Sequence, residues 1–532
     1  MSKIMHAAVA LGLLSVVSLS AADWPQWGGT PARNMYSPEK GIPSSFNPGK
    51  FKRGTDEVDL STTDNVKWAA KLGSQSYGNV TVSNGRVFVG TNNETPRDTQ
   101  HEGDRSILMC FDEKTGELLW QLVVPKLKSG KVNDWENLGL LSSPTVEGDF
   151  VYIVTSRCEI MCLDVHGLAN GNQGMQDEPA YMAKDTGRPP AKIGPKDADI
   201  IWVYDMMDEL GVFPHNASNC SVIIVDDLVY ACTSNGQDWT HSNIPSPLSP
   251  SFVAVNKKTG EFAGEDDANI GPRIYHGQWS SPSTAKVNDK KLVFFGGGDG
   301  WCYAFDAKPV KDDETSWLKT VWKFDCNPPE YKKTKDGQPI RYPAAEGPSE
   351  INSTPVFYKN RVYVAIGQDP EHGEGVGRLV CIDATKTGDI TDSGLIWDYR
   401  KIKRSISSVS IDPETNLLFI GDFSGFVYCL DADSGKEHWV YDMKAHMWGS
   451  TMVADGKVFV GDEDGDFVVL EASREKKVLS EINLGAPIYS TPVVANGVLY
   501  VASNTHLYAF RDQSKVKTTG DDPKVKLDAP KK

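Results

Sequence analysis

The chain repeats one pattern of short strands along most of its length. Each copy has a polar start, an apolar strand, a turn, a second strand, a Gly-containing turn and a third strand that often ends near an Asp. The copies begin at Asn79, Ser142, Ser218, Ser280, Ser353, Ser405, Ser450 and Ser490. A repeat at this spacing indicates one array of similar units rather than several unrelated domains.

The residues inside each copy are typical of β-strands joined by tight turns. Val, Ile, Tyr and Phe alternate with a period of two, and Asn-Gly or Asp-Gly turns occur at Asn84, Asp455 and Asn496. A fourth strand bearing a Trp follows the third, as in 111–120 and 430–439. Four antiparallel strands per unit make a propeller blade. We therefore predict an all-β, eight-bladed β-propeller.

The ends of the repeat predict how the ring closes. The last copy stops at Phe510 without a Trp strand, whereas an unmatched Trp strand lies at 65–72. We expect this N-terminal strand to complete the eighth blade, because closure removes the open sheet edge of a linear array. The predicted domains are a signal peptide (1–22), an N-terminal extension (23–64), the propeller (65–512) and a disordered charged tail (513–532).

The N-terminus and the composition bear on location and partners. Lys3, an apolar run from Ala7 to Leu19 and the small residues before Asp23 predict a cleaved signal peptide, so we expect a secreted or periplasmic protein. The apolar run is too short to span a membrane. Lys plus Arg number 55 against 71 for Asp plus Glu, a net charge of -16, which argues against nucleic-acid binding. We expect a monomer.

Blades that end in A-x-D-x-x-T-G-x-x-x-W resemble the pyrroloquinoline quinone (PQQ) repeat. This repeat occurs in eight-bladed quinoprotein alcohol dehydrogenases and in a non-catalytic outer-membrane assembly lipoprotein. The resemblance covers roughly 65–510, and the opening DWPQWGG also looks like the mature start of exported PQQ-like propellers. It implies the fold, with PQQ and calcium as cofactors in the catalytic members. The adjacent Cys-Cys pair typical of the dehydrogenases is missing here.

Nine cysteines occur in the chain. Cys110, Cys162, Cys381 and Cys429 occupy one repeat position in four blades, so we interpret them as small buried residues too far apart to pair. Cys220 and Cys232 flank a hairpin turn and are the disulfide candidate. No Cys-x-x-Cys-His or phosphate-binding Gly-rich motif occurs, so the sequence predicts neither covalent haem nor a nucleotide.

Three insertions lie between second and third strands, at 91–106, 234–250 and 367–378, and should crowd one rim of the channel. A fourth, from His166 to about Asp199, should lie on the opposite face. Residues just before each innermost strand should point to the same rim as the three insertions. These ligand-binding candidates are His215, Asn216, His276, Gln278, Trp279, Glu350, Asn352, Arg404, His446, Trp448 and Tyr489. Packing between blades is the alternative role for the same side chains.

Acidic residues and a His are dense on the third insertion. Asp369, Glu371, His372 and Glu374 are therefore the candidates for binding a divalent metal ion; a solvated acidic loop is the alternative.

Two functions follow from these observations. The first is an exported binding or interaction module that engages a small molecule, glycan or protein at the inserted-loop face. The alternative is a PQQ- and calcium-dependent quinoprotein oxidoreductase acting on an alcohol or sugar. The catalytic residues, and whether the protein is an enzyme, stay open at this point.

Overall fold

The computed structural model describes residues 22–312, 315–372 and 375–515. Eight antiparallel sheets form the blades of a propeller, which confirms the predicted all-β, eight-bladed fold. The predicted signal peptide and charged tail lie almost entirely outside the described residues.

Each blade is given from its innermost strand outwards. Blade 1 has Thr81–Ser83, Arg86–Asn92, Arg105–Asp112 and Leu118–Pro125; blade 2 has Thr145–Glu147, Phe150–Val154, Glu159–Asp164 and Ile200–Asp205; blade 3 has Ile223–Val225, Leu228–Cys232, Phe252–Asn256 and Phe262–Asp266; blade 4 has Ser283–Val287, Lys290–Gly296, Trp301–Asp306 and Thr320–Asp325. Blade 5 has Val356–Tyr358, Arg361–Ile366, Arg378–Asp383 and Leu395–Tyr399; blade 6 has Ser410–Asp412, Leu417–Gly421, Phe426–Asp431 and Glu437–Asp442; blade 7 has Met452–Ala454, Lys457–Gly461, Asp466–Glu471 and Val478–Asn483; blade 8 has Val493–Ala495, Val498–Ala502, His506–Phe510 and Val66–Lys71.

Short elements extend this ring. Thr315–Leu318 and Val310–Asp312 widen blade 3, Gly388–Asp389 widens blade 4, and Tyr36–Ser37 pairs with the innermost strand of blade 7. Lys50–Phe51 and Val58–Asp59 form a separate hairpin. The α-helices are Glu178–Ala183, Met206–Leu210 and Pro329–Lys332, and the 3-10 segments are Leu60–Thr62, Thr99–His101, Gly130–Val132, Gly167–Asn170, Gly271–Arg273, Pro370–His372 and Gln513–Lys515. Within the described ranges, no helix has the length and apolar character needed to cross a bilayer.

The N-terminal strand closes the ring as predicted. Val66–Lys71 pairs antiparallel with His506–Phe510, with Trp68 opposite Ala509. The first and last parts of the repeat thus share one blade, and the eighth blade gains its fourth strand from the N-terminal part of the chain.

Outer-strand tryptophans join neighbouring blades. The indole Nε1 of Trp68 donates to the backbone oxygen of Glu113 in the next blade, and Trp120, Trp202, Trp322, Trp397 and Trp439 make the equivalent bond. Glycines of the facing turns leave room for these rings: a Cβ on Gly116 would approach Trp68 to 2.6 Å and one on Gly435 would approach Trp397 to 2.5 Å. Both glycines have positive φ. The Thr-Gly and Trp of the repeat are therefore two halves of one contact between blades.

The Ser and Thr that open the repeats form a belt around the channel. The amide of one blade donates to the hydroxyl of the next, as from Ser408 to Ser450 at 2.9 Å and from Ser450 to Thr491 at 2.8 Å. Ser143, Ser221 and Thr354 donate in the same way, and Thr491 donates to Asn79 of blade 1. Small hydroxyl side chains recur here because each satisfies a buried amide of its neighbour.

The N-terminal segment 23–41, which we call the plug, crosses the channel. Hydrogen bonds join it to all eight blades: Trp24 to Val82, Pro25 to Val146, Arg33 to Val222, Pro31 to Thr284, Ala32 to Phe357, Asn34 to Ile411, Met35 to Val453 and Glu39 to Asn496. The fully buried Arg33 side chain also donates to the carbonyl oxygens of Trp27, Ser221 and Pro282. The sequence pattern placed 23–41 only in an extension, because the plug lacks strand periodicity.

Three insertions join second to third strands as expected. The fourth insertion, predicted to lie on the opposite face, lies there only in part. Residues 165–199 connect the third and fourth strands of blade 2, so they leave from the opposite face. They then reach the 91–106 insertion, where Lys192 and Gln100 exchange hydrogen bonds and Arg188 pairs with Glu102. Polar contacts with the 91–106 insertion thus hold the middle part of 165–199 near the rim.

All nine cysteines are buried free thiols, so the predicted Cys220–Cys232 disulfide is wrong in this structure. The two residues are neighbours, since the Cys232 amide donates to Cys220 Sγ at 3.1 Å. The Cys232 thiol instead donates to the carbonyl oxygen of Gln278 at 3.3 Å. Cys110, Cys162, Cys381 and Cys429 are buried in their blades, as their repeat position predicts.

Candidate functional site

A cavity of about 440 Å³ occupies the end of the channel that faces the three insertions; we call it the channel cavity. Its floor includes Trp27 of the plug and the Ser/Thr belt. Five of the predicted ligand-binding residues line it: Asn216, Trp279, Asn352, Trp448 and Tyr489. They come from different blades and meet because each precedes an innermost strand.

One wall of the cavity is aromatic. Tyr77 stacks on Tyr489 with ring centroids 4.7 Å apart, and Trp448 lies 5.4 Å from Tyr489. The Trp448 indole Nε1 donates to Glu463 at 3.2 Å, which fixes the ring. Tyr77 was not among the sequence candidates, although it precedes the first innermost strand as Tyr489 precedes the last. This wall offers flat apolar faces to a ligand.

Trp279 forms part of another wall. Its indole Nε1 donates to the carbonyl oxygens of His215 and Ala217 at 3.3 and 3.1 Å. Its ring lies 5.3 Å from that of His276. Trp279 therefore separates the channel cavity from a group of histidines behind it.

Four imidazoles and one carboxylate form what we call the histidine cluster: His215, His241, His276, His372 and Asp369. Ligand atoms of His215, His241 and His276 lie within 4.8 Å of one another, and so do those of His276, Asp369 and His372. The His276 ring centroid is 4.3 Å from those of both His215 and His372. The cluster brings together members of the separately predicted ligand and metal sets.

Nitrogen atoms in this cluster are buried without hydrogen-bond partners. Both ring nitrogens of His276 and Nε2 of His215 are in this state, and both side chains are fully buried. His215 Nδ1 faces the carbonyl oxygen of Gln237 at 2.6 Å. Burial lowers the pKa of His215 to about 4 and that of His276 further, so both rings are neutral at pH 7.

A buried carboxyl group adjoins the cluster. Glu350 Oε1 accepts hydrogen bonds from the Tyr342 hydroxyl at 3.0 Å and the Asp369 amide at 2.7 Å. Its Oε2 atom is buried without a partner. Burial, with the nearby Asp369 charge, raises the pKa of Glu350 to about 8. Glu350 therefore holds the backbone of the metal-candidate loop in place.

The remaining candidates contact protein groups rather than the cavity. Gln278 donates to Asn235 and Ser251, His446 stacks on Phe423 at 4.5 Å, and the Arg404 guanidinium lies over the same Phe423 ring, also at 4.5 Å. These contacts match the packing role that the sequence left open for them.

Only two of the four predicted metal residues lie in the histidine cluster. Asp369 and His372 enter the histidine cluster, whereas Glu371 is exposed and borders the cavity, and Glu374 lies outside the described residues. His241 and Tyr342 were missed. His241 stands within the 234–250 insertion, so a search for His on inserted loops would have found it.

The charge of the cavity lining bears on the predicted PQQ. Among the described lining residues, the charged ones are Glu136, Asp369 and Glu371, and none is Lys or Arg. PQQ carries three carboxylates, which need cationic partners in a site of this kind. The lining therefore does not fit this cofactor.

The chain is similar to a known protein family in sequence and to solved structures in fold. Residues 58–323 and 423–516 match the family model described as outer membrane protein assembly factor BamB. No curated protein matches in sequence. Among solved structures, quinohemoprotein alcohol dehydrogenase ADHIIG from Pseudomonas putida HK5 shares 12% identity with a TM-score of 0.54, covering 93% of this chain and 81% of its own. BamB from Moraxella catarrhalis shares 15% identity with a TM-score of 0.48, covering 84% of this chain and 97% of its own. By the extent of its match to the family model, the chain belongs to the PQQ-like β-propeller family of outer membrane protein assembly factor BamB.

Proposed function

We propose that this protein is an exported binding module that holds a neutral saccharide in the channel cavity. The observation that carries the proposal is the lining itself. Trp27, Tyr77, Trp135, Trp279, Trp448 and Tyr489 supply aromatic faces, and Asn79, Asn216, Asn219 and Asn352 supply amides that both donate and accept hydrogen bonds. Sugars present apolar C–H faces to aromatic rings and hydroxyl groups to amides and carboxylates.

Charge favours a neutral sugar over an anionic ligand. The three carboxylates on the described lining can accept hydrogen bonds from hydroxyl groups but repel carboxylates and phosphates. The signal-like residues 1–22 support a location outside the cytoplasm, where saccharides of cell envelopes are available. The alternative of a PQQ- and calcium-dependent oxidoreductase has less support, because the same lining lacks the cations that PQQ needs.

Binding to a panel of neutral oligosaccharides, followed by intrinsic tryptophan fluorescence and calorimetry, tests the proposal. We expect at least one saccharide to change the fluorescence of the native protein. Trp279→Ala and Trp448→Ala should each weaken that binding about fivefold or more, since stacking on one aromatic ring contributes roughly 1 kcal/mol or more.

Trp317→Ala is the matched control, because Trp317 lies in the strand that widens blade 3, away from the channel. Thermal midpoints of all three variants separate loss of binding from loss of folding. Saccharide binding that survives in both cavity variants, or a panel with no binder, would refute the proposal.

A further inference from the structure

We propose that the histidine cluster is a binding site for one divalent first-row transition-metal ion. This inference stands apart from saccharide binding, because it rests on different residues and its test uses the metal alone. The ligands would be nitrogen atoms of His215, His241, His276 and His372 and a carboxylate oxygen of Asp369.

The spacing of the donor atoms suits a single ion. Donors about 2.1 Å from a metal lie roughly 3.0 to 4.2 Å from one another, depending on the angle between them. The two triads of ligand atoms each lie within 4.8 Å and share His276. The His241 and His372 ring centroids, one from each triad, are 5.0 Å apart, so the two triads adjoin around His276.

Burial supplies an independent argument. Buried polar atoms in folded proteins nearly always have hydrogen-bond partners, because burial removes the water that would otherwise bind them. Here the fully buried His276 has two unpartnered nitrogens, and the fully buried His215 has one. A metal ion would bind one ring nitrogen of His276 and Nε2 of His215, and would so give each of these buried rings a partner.

The contacts around the cluster also fit a metal site. His215 Nδ1 faces the Gln237 carbonyl oxygen, which leaves Nε2 with its lone pair directed to the cluster. A ligating histidine commonly donates its second ring N–H to a carbonyl oxygen in this way. The Asp369 amide is held by Glu350, and that bond fixes the loop carrying Asp369 and His372.

The donor set selects the class of metal. Imidazole nitrogens with one carboxylate suit Zn²⁺, Cu²⁺, Ni²⁺ and Co²⁺, whereas Ca²⁺ and Mg²⁺ take oxygen ligands. The nitrogen-rich donor set therefore favours one of these ions over calcium. Asp369 also lines the channel cavity, so the ion would border the place where we position the sugar.

Titration of the chelator-treated full-length protein with Co²⁺ tests the site. We expect one equivalent to bind with intense ligand-field absorption in the visible range, Zn²⁺ to displace it, and Ca²⁺ to leave it unchanged. His241→Ala should weaken Co²⁺ binding at least about tenfold. Because His241 is exposed, this variant should keep the native thermal midpoint of the metal-free protein.

His276→Asn should abolish the absorption, and His372→Ala supplies a second readout if the buried His276 variant does not fold. His438→Ala on the outer strand of blade 6 is the control and should bind as the native protein does. Absence of stoichiometric Co²⁺ binding, or equal binding by His241→Ala, His372→Ala and the native protein, would overturn the proposal. A cluster variant that loses Co²⁺ binding but keeps saccharide binding, or a cavity variant that does the opposite, would show that the two sites bind independently.

Discussion

The indole Nε1 of Trp68 lies 3.0 Å from the backbone oxygen of Glu113 and donates a hydrogen bond to it. Trp68 belongs to the strand that completes blade 8, and Glu113 belongs to blade 1. This one bond therefore joins the two ends of the repeat array.

Trp68→Ala should weaken the closure of the ring. The substitution removes a buried indole and leaves a cavity between the first and last blades, so we expect a loss of about 3–5 kcal/mol in the free energy of unfolding. Urea denaturation measures it. Trp317→Ala, outside this contact, should cost far less, and equal losses in both variants would show that closure does not depend on Trp68.

The plug should depend on Arg33. Its guanidinium donates to four carbonyl oxygens, and Arg33→Met leaves those acceptors buried without a donor, so we expect at least about 3 kcal/mol of destabilisation. Arg33→Lys should recover only a small part of this loss, because an ammonium group is a point donor that cannot span all four.

Arg53→Met provides the comparison for Arg33, since Arg53 is exposed on the hairpin beyond the plug. Denaturation curves of the three variants check the expectation. Full recovery by Arg33→Lys would mean that charge, and not the fork of donors, anchors the plug.

The cysteines should be unreactive in the native protein. Burial raises the pKa of Cys158, Cys220 and Cys381 to about 12, and all nine thiols are enclosed. A thiol reagent should therefore modify none of them rapidly until denaturant is added, and then all nine. Seven reactive thiols in the denatured, unreduced protein would instead reveal a disulfide.

Stability should depend on pH through Asp462. Its Oδ1 accepts two backbone amides while Oδ2 is buried without a partner, and burial with the neighbouring Asp466 and Asp464 raises its pKa to about 6. The pKa in the unfolded chain is about 3.9, so the folded state binds the proton more tightly. This contribution to stability is present below about pH 4 and is lost as pH rises to 6.

Asp462→Asn removes that titration and keeps the shape of the side chain. The free energy of unfolding of the variant minus that of the native protein should rise between pH 4 and 6 and stay level above pH 6. Denaturation series across this range provide the measurement. Parallel profiles of the two proteins would show that Asp462 does not titrate in this way.

Patterns in the sequence predicted the ring of blades. The path of the plug depends on contacts between residues far apart in the sequence and was not predicted. Period-two strands and Asn-Gly turns form within one blade, so their geometry can be inferred from neighbouring residues. The strand around Trp68 could be assigned to blade 8 because the last repeat lacks a Trp strand of its own. The plug makes its bonds with partners hundreds of positions away, as between Trp27 and Thr354, and no periodicity marks it.

The histidine cluster could also be predicted only in part. The residues before the innermost strands, such as His215 and His276, could be assigned to one rim because blade geometry fixes that position. His241 reaches the cluster from the 234–250 insertion, and Tyr342 lies beside the cluster on the connection between blades 4 and 5; the paths of both segments depend on contacts with other blades. The proposed Cys220–Cys232 pair failed for a related reason: neighbouring positions in a hairpin do not by themselves form a bond.

The plug makes the channel a blind pocket. Because residues 23–41 bind all eight blades and Trp27 is part of the floor, a molecule in the pocket must enter and leave through the mouth bordered by the insertions. No molecule can pass through the channel from one face of the ring to the other. Any occupant therefore meets the Asp369 loop on arrival and again on departure.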